Sequence, residues 1–294
     1  MTAEQVAMLK AHLALVERLD PAHDNTFVAF LSVRLNGVQA LSTKEISVMS
    51  NAQLSKLTTD QISALRTTQI QAIPTLGLAA MNTDQIVAFS SDQIAAFTGN
   101  HIRVLTTDQM HAFTTDQMPG FETRDLVVLT ANQLNATTSD QIDALTTGQV
   151  AALGTAQVAA LTTSQVNDLA STTVAALSST QVNAMGASQV AALSKNAVAA
   201  MTTTQVAGFN TTVLKALTAD SIAALTNDQV KALTTASVAA MTTDQVKALE
   251  SADIAVLSST QVKALTTSQV GVLNATQVKA LATGALAGLS TDTV

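Results

Sequence analysis

From Leu41 to Gly288 one pattern of apolar and polar positions repeats every eight residues for 31 octads, without an insertion or a deletion. Written from position 1 it reads Leu-Thr-Thr-Asp-Gln-Val-x-Ala, as in Leu57 to Ala64, Leu105 to Ala112 and Met241 to Ala248. Position 6 is apolar in all 31 octads, position 1 is Leu, Met, Phe or Ile everywhere except Thr137, and position 8 is Ala in 21 of 31. In a strand, position 6 and the following position 1 lie three residues apart and point to opposite faces. In a helix they share one stripe, with the Ala beside them. The pattern therefore predicts helix, although Thr and Val favour strands.

The polar half of the octad sets the length of that helix. Ser or Thr holds position 2 in 20 of 31 octads, and Gln holds position 5 in 20 of 31. This is the spacing of a capping box, in which the hydroxyl accepts from the backbone N–H three residues on and the Gln side chain reaches back. Asp at position 4, as in Asp60, Asp92, Asp116 and Asp244, suits the positive end of a helix. A start signal every eight residues, with a period that is not a multiple of 3.6, excludes one continuous helix. The expected unit is a helix of about five or six residues broken at each Thr-Thr pair, too short to persist without neighbours. Pro119, at position 7, fits a helix that is already ending.

A longer period lies over the octad. Lys215, Lys231, Lys247, Lys263 and Lys279 all fall at position 7 and are 16 residues apart, while Ala223, Ala239, Ala255 and Gly271 fill the octads between. The simplest account makes alternate octads unequal, one exposing position 7 and the next packing it. The expected fold is therefore all-α: an α-solenoid or superhelix of very short capped helices, one per octad and two per 16-residue coil. Met1 to Met8 still obeys the pattern but residues 9–40 have drifted from it, and residues 1–40 read as an N-terminal helical cap over a solenoid that runs from 41 to 294. The first half of the array carries more Ile, Met and Phe at positions 6 and 1, so a bulkier core is expected there.

Composition narrows the chemistry. Tyr, Trp and Cys are absent, which removes disulfides and thiolate metal sites. Charged residues make up 12% of the chain, leaving Ser, Thr, Asn and Gln to supply the wettable surface. A net charge of −7 speaks against nucleic acid as a partner, since phosphate binding needs a dense basic face. No run of 18 apolar residues occurs, so no membrane span is expected.

Candidate sites are few. The five lysines form a possible binding face for a polyanion, although such a row more often keeps a surface soluble. His101 and His111 have no third ligand and read as surface residues, so no metal site is expected. The position-4 Asp residues are accounted for by capping, no phosphate-binding or hydrolase motif occurs, and neither a cofactor nor enzymatic activity is expected. Gly99, Asn100 and His101 together make the nearest departure from the pattern.

The repeated word Leu-Thr-Thr-Asp-Gln-Val-Lys-Ala-Leu resembles the tandem repeats of large bacterial surface and adhesin-like proteins. That resemblance covers residues 41–294 and implies an extracellular or cell-surface stalk with protein or surface glycan as partner. The same word resembles the first helix of transcription-activator-like DNA-binding effectors, but those repeats are about four times longer. The expected function is a non-catalytic structural scaffold, with a superhelical recognition module for protein or nucleic acid, in a cytoplasmic setting, as the alternative. The array stops mid-octad at Ser290 to Val294, which suggests end-to-end self-association through an uncapped C-terminus.

Overall fold

A computed structural model of the chain describes residues 37–281, which form two compact units meeting in sequence at Ala152 and Leu153. The expected N-terminal cap, but for its last four residues, and the expected C-terminal contact lie outside the described residues. Within them the protein is all-helical, with 29 short α-helices, two 3-10 segments and no strand.

Each octad builds one helix of four to six residues in the same way. In the octad from Leu105, Thr106 is extended at φ −75°, ψ 165°, and its carbonyl accepts from the Met110 N–H at 2.9 Å. The helix Thr107–Ala112 then ends as Phe113 turns extended at φ −55°, ψ 138°. Position 1 and position 2 are the extended pair, so the break falls one residue before the Thr-Thr pair. The second Thr is already helical.

In the unit ending at Ala152, Thr59–Ser63 packs on Thr83–Val87, that helix on Thr107–Ala112, and that in turn on Ala131–Ala136. In the unit from Leu153, Thr163–Asp168 packs on Ala187–Ala192, then Thr211–Ala216, then Thr235–Ala240. Packed neighbours are three octads apart, and Ser179–Asn183 also meets Thr211–Ala216 four octads on. A coil therefore takes between three and four octads, which corrects the expected 16-residue coil of two. Two helices laid back to back leave the sides of their apolar stripes open, whereas three or more enclose them.

The same finding corrects the expected alternation at position 7. Ala191, Ala207, Ala239 and Ala255 are exposed just as Lys215, Lys231, Lys247, Lys263 and Lys279 are. Among the described residues position 7 is exposed or half-exposed in every octad, and the lysine rhythm is a rhythm of composition.

The core lies inside each coil, where positions 6 and 1 converge. Ile46, Leu54, Ile62, Ile70, Ile86 and Ile94 are fully buried in the first unit, and Val158, Val166, Val174, Val182 and Val190 in the second. The bulkier core of the first half includes two edge-to-face aromatic pairs, Phe89–Phe97 at 5.3 Å and Phe113–Phe121 at 5.0 Å between ring centroids. Pro119 sits in a 3-10 segment, Thr115–Gly120, that lies close against Ser91–Ala95. A Cβ on Gly120 would stand 2.5 Å from the Ser91 carbonyl oxygen, so only glycine permits that approach.

The register extends slightly upstream of Leu41. Val38 is fully buried, and its carbonyl accepts from Gln69, as a position-6 carbonyl does elsewhere.

Candidate functional site

The most extensive polar arrangement in the molecule is internal. The position-5 glutamines, Gln53 apart, are buried rather than part of the wettable surface, and many of them use the whole amide. Gln109 Oε1 accepts from the Thr106 N–H at 3.0 Å, closing the cap in which Thr106 Oγ1 accepts from the Gln109 N–H at 3.2 Å. Its Nε2 donates to the Leu78 and Met81 carbonyls, both at 2.9 Å, 31 and 28 residues back. Gln245 repeats the arrangement in the second unit, accepting from Thr242 N–H at 2.9 Å and donating to Leu214 and Leu217 at 2.7 and 2.8 Å.

The carbonyls reached lie at the end of a helix, where i to i+4 partners run out; Leu78 also accepts from the Met81 N–H at 3.1 Å and Leu214 from the Leu217 N–H at 3.3 Å. One residue type thus satisfies the start of its own helix and the end of one a coil away. Sequence reasoning placed these glutamines at the cap and missed the stitch. A signal was present, because position 5 never carries Lys or Arg from Leu41 to Gly288, as a solvent-facing position would.

Three buried residues at position 5 are ionisable where glutamine is not. His101 is buried, contrary to its reading as a surface residue: Nδ1 accepts from the Thr98 N–H at 3.2 Å, and Nε2 lies 2.8 Å from the Ile73 carbonyl. Both bonds form when the neutral ring carries its proton on Nε2. Burial lowers the His101 pKa from its ordinary value, opposed by the bond to Ile73. His111 is exposed, as read, with Nδ1 3.1 Å from the Ala136 carbonyl.

Asp125 and Asp253 are the other two, each preceded by Glu at position 2. Asp253 Oδ2 accepts from the Glu250 N–H at 2.9 Å. Neither carboxylate oxygen of Asp125 has a hydrogen-bond partner, and the residue is 0% exposed. Its neighbour Arg124 lies 2.9 Å from Glu122 and only 3.8 Å from Asp125. Burial raises the pKa of both aspartates, with Arg124 opposing the shift at Asp125.

The five lysines do not come together as a face. Consecutive ones are two octads apart, whereas packed helices are three apart, so they spread around the coil. Lys231 pairs with Asp228 at 3.1 Å and Lys247 with Asp244 at 3.2 Å, both exposed. Among the described residues no three His, Asp or Glu side chains converge to hold a metal. No helix there is long and apolar enough to cross a membrane.

These features define a repeat protein, an α-solenoid of short helices stitched by glutamine. The ALTTAQ repeat matches residues 38–67, 63–99, 118–155, 198–235 and 246–283, more than half of the sequence, and the chain belongs to that repeat family. No curated protein and no solved structure matches it.

Proposed function

We propose that this protein is a non-catalytic scaffold, a cell-surface or secreted stalk whose product is its own regular backbone. The observation that carries this reading is the commitment of the recurring glutamine to bonds within the fold, as at Gln109 and Gln245. What remains at the surface is a uniform lattice of Ser, Thr, Asp and Ala, suited to spacing and solvation rather than to chemistry at one point. The spread of the lysines around the coil favours solvation over capture of a polyanion. The resemblance to adhesin-like arrays supports the surface setting.

The test is protease treatment of intact cells that make the protein, followed by immunodetection. Loss of the chain without lysis is expected. Full protection in intact cells, with cleavage only after lysis, would overturn the surface assignment.

A further inference from the structure

The octad from Phe121 to Val128 puts a buried carboxyl where most octads around it place the stitching amide. By register, a position-5 amide here would donate to the carbonyls of Ile94 and Phe97, 31 and 28 residues back, as Gln117 donates to Ile86 and Phe89 at 2.9 and 2.7 Å. Asp125 has a shorter side chain and, when ionised, only acceptors to offer. It is enclosed with neither oxygen hydrogen-bonded, and the nearest cation, Arg124, stands 3.8 Å from Oδ1 but 2.9 Å from Glu122.

We propose that Asp125 is held as the neutral acid in the folded coil, its proton standing where the glutamine amide donates elsewhere, and that its ionisation opens this seam of the solenoid. The seam is a built-in pH-labile point within residues 37–152. The direction of the Asp125 pKa, raised by burial, agrees with this.

Of the carboxyls around the seam only Asp125 is buried: Asp92, on Ser91–Ala95 across the seam, is exposed. Its own helix, Thr123–Leu126, carries Arg124, with Glu122 as its cap. The helix Gly99–Val104 packed against it brings His101 and Arg103, and Thr147–Ala152 on the other side brings no ionisable group. His101 titrates with the opposite sign, losing stability in acid. Asp253, on the same Glu-x-x-Asp word, keeps one hydrogen bond and serves as the internal comparison.

The sign follows from linkage. A carboxyl whose folded pKa is raised contributes its full stability below the ordinary carboxyl value and loses it as pH rises through the folded value. Between those two values the opening constant of the seam rises up to about tenfold per pH unit, then levels.

The experiment is hydrogen exchange of the full chain from pH 4.5 to 8, corrected for intrinsic rates, in wild type, Asp125→Asn and Asp125→Gln. Each is also made in a His101→Gln background to remove the opposing titration. In wild type, 91–97 and 123–126 are expected to lose protection as pH rises, while both variants hold it. A pH-independent wild type, or variants that follow the wild-type profile, would overturn the proposal. So would failure of both neutral variants to fold, or restoration of wild-type protection at pH 8 by calcium alone, which would assign the carboxylate to a cation.

Discussion

At position 6 the unit ending at Ala152 carries mostly Ile, Leu and Met, whereas the unit from Leu153 carries mostly Val, yet both bury this position, Val270 and Val278 excepted among the described residues. The aromatic pairs are confined to the first unit among the described residues. The glutamine bonds, by contrast, span the same 28 and 31 residues in both. Core residues have drifted between the two units while the register from coil to coil has not. The spacing is therefore set by amide to carbonyl bonds, which tolerate little variation in length, and the apolar side chains fill what that spacing leaves.

The strongest way to break this comparison is to cut the stitch in each unit. Gln85→Leu strands the Asn82 N–H and the Leu57 carbonyl, and Gln229→Leu the Thr226 N–H and the Met201 carbonyl, while the Leu54 and Val198 carbonyls keep a backbone donor. Each stranded group costs roughly 1–3 kcal/mol. Equal losses in the two variants by urea unfolding are expected, and a loss confined to one unit would refute a shared spacing mechanism.

Phe97→Ala comes next, at roughly 3–5 kcal/mol. Phe209→Ala in the second unit should cost less by about 0.5–1.5 kcal/mol, since Phe97 also meets Phe89 edge-to-face and Phe209 meets no ring among the described residues. Thermal melts of the pair check this. Exchanging the core residues sharpens the contrast further: Val190→Ile should destabilise by about 1–3 kcal/mol through overpacking, and Ile86→Val by about 0.5–1.5 kcal/mol. A stabilised Val190→Ile would mean that the second core is underfilled rather than matched to Val.

Acid should separate the units as well. His101 has a lowered pKa, so the stability it lends the first unit is complete above its unfolded value near 6.5 and is lost as pH falls through the folded value. His101→Gln should remove that acid sensitivity, measured by urea unfolding between pH 5 and 7.5. The smallest effect belongs to Lys231→Ala, whose exposed pair with Asp228 should be worth under about 0.5 kcal/mol in the same assay.

Much of this was legible in the chain. The octad, its single helix, the capping spacing and the apolar positions 1 and 6 follow from local periodicity. The number of octads in a coil did not, because packing partners three octads apart leave no mark on the octad itself. The lysine rhythm suggested two instead, for Lys215 to Lys279 record only what an exposed position accepts. His101 stood out as a departure from the word and Asp125 did not, and the meaning of both depended on knowing that position 5 faces a coil 28 residues away. A polar residue with a local role at the cap hid its distant one.

The direction in which the glutamines point has a consequence for biosynthesis. Each Nε2 donates toward the N-terminus, to carbonyls 28 and 31 residues earlier, as from Gln93 to Leu65 and Ile62. A nascent chain leaving the ribosome therefore meets its template already made, and every new octad docks on finished backbone without waiting for sequence still untranslated. Contacts this short in sequence favour rapid assembly. The array can be lengthened by whole octads during evolution while each intermediate length still folds as it is synthesised.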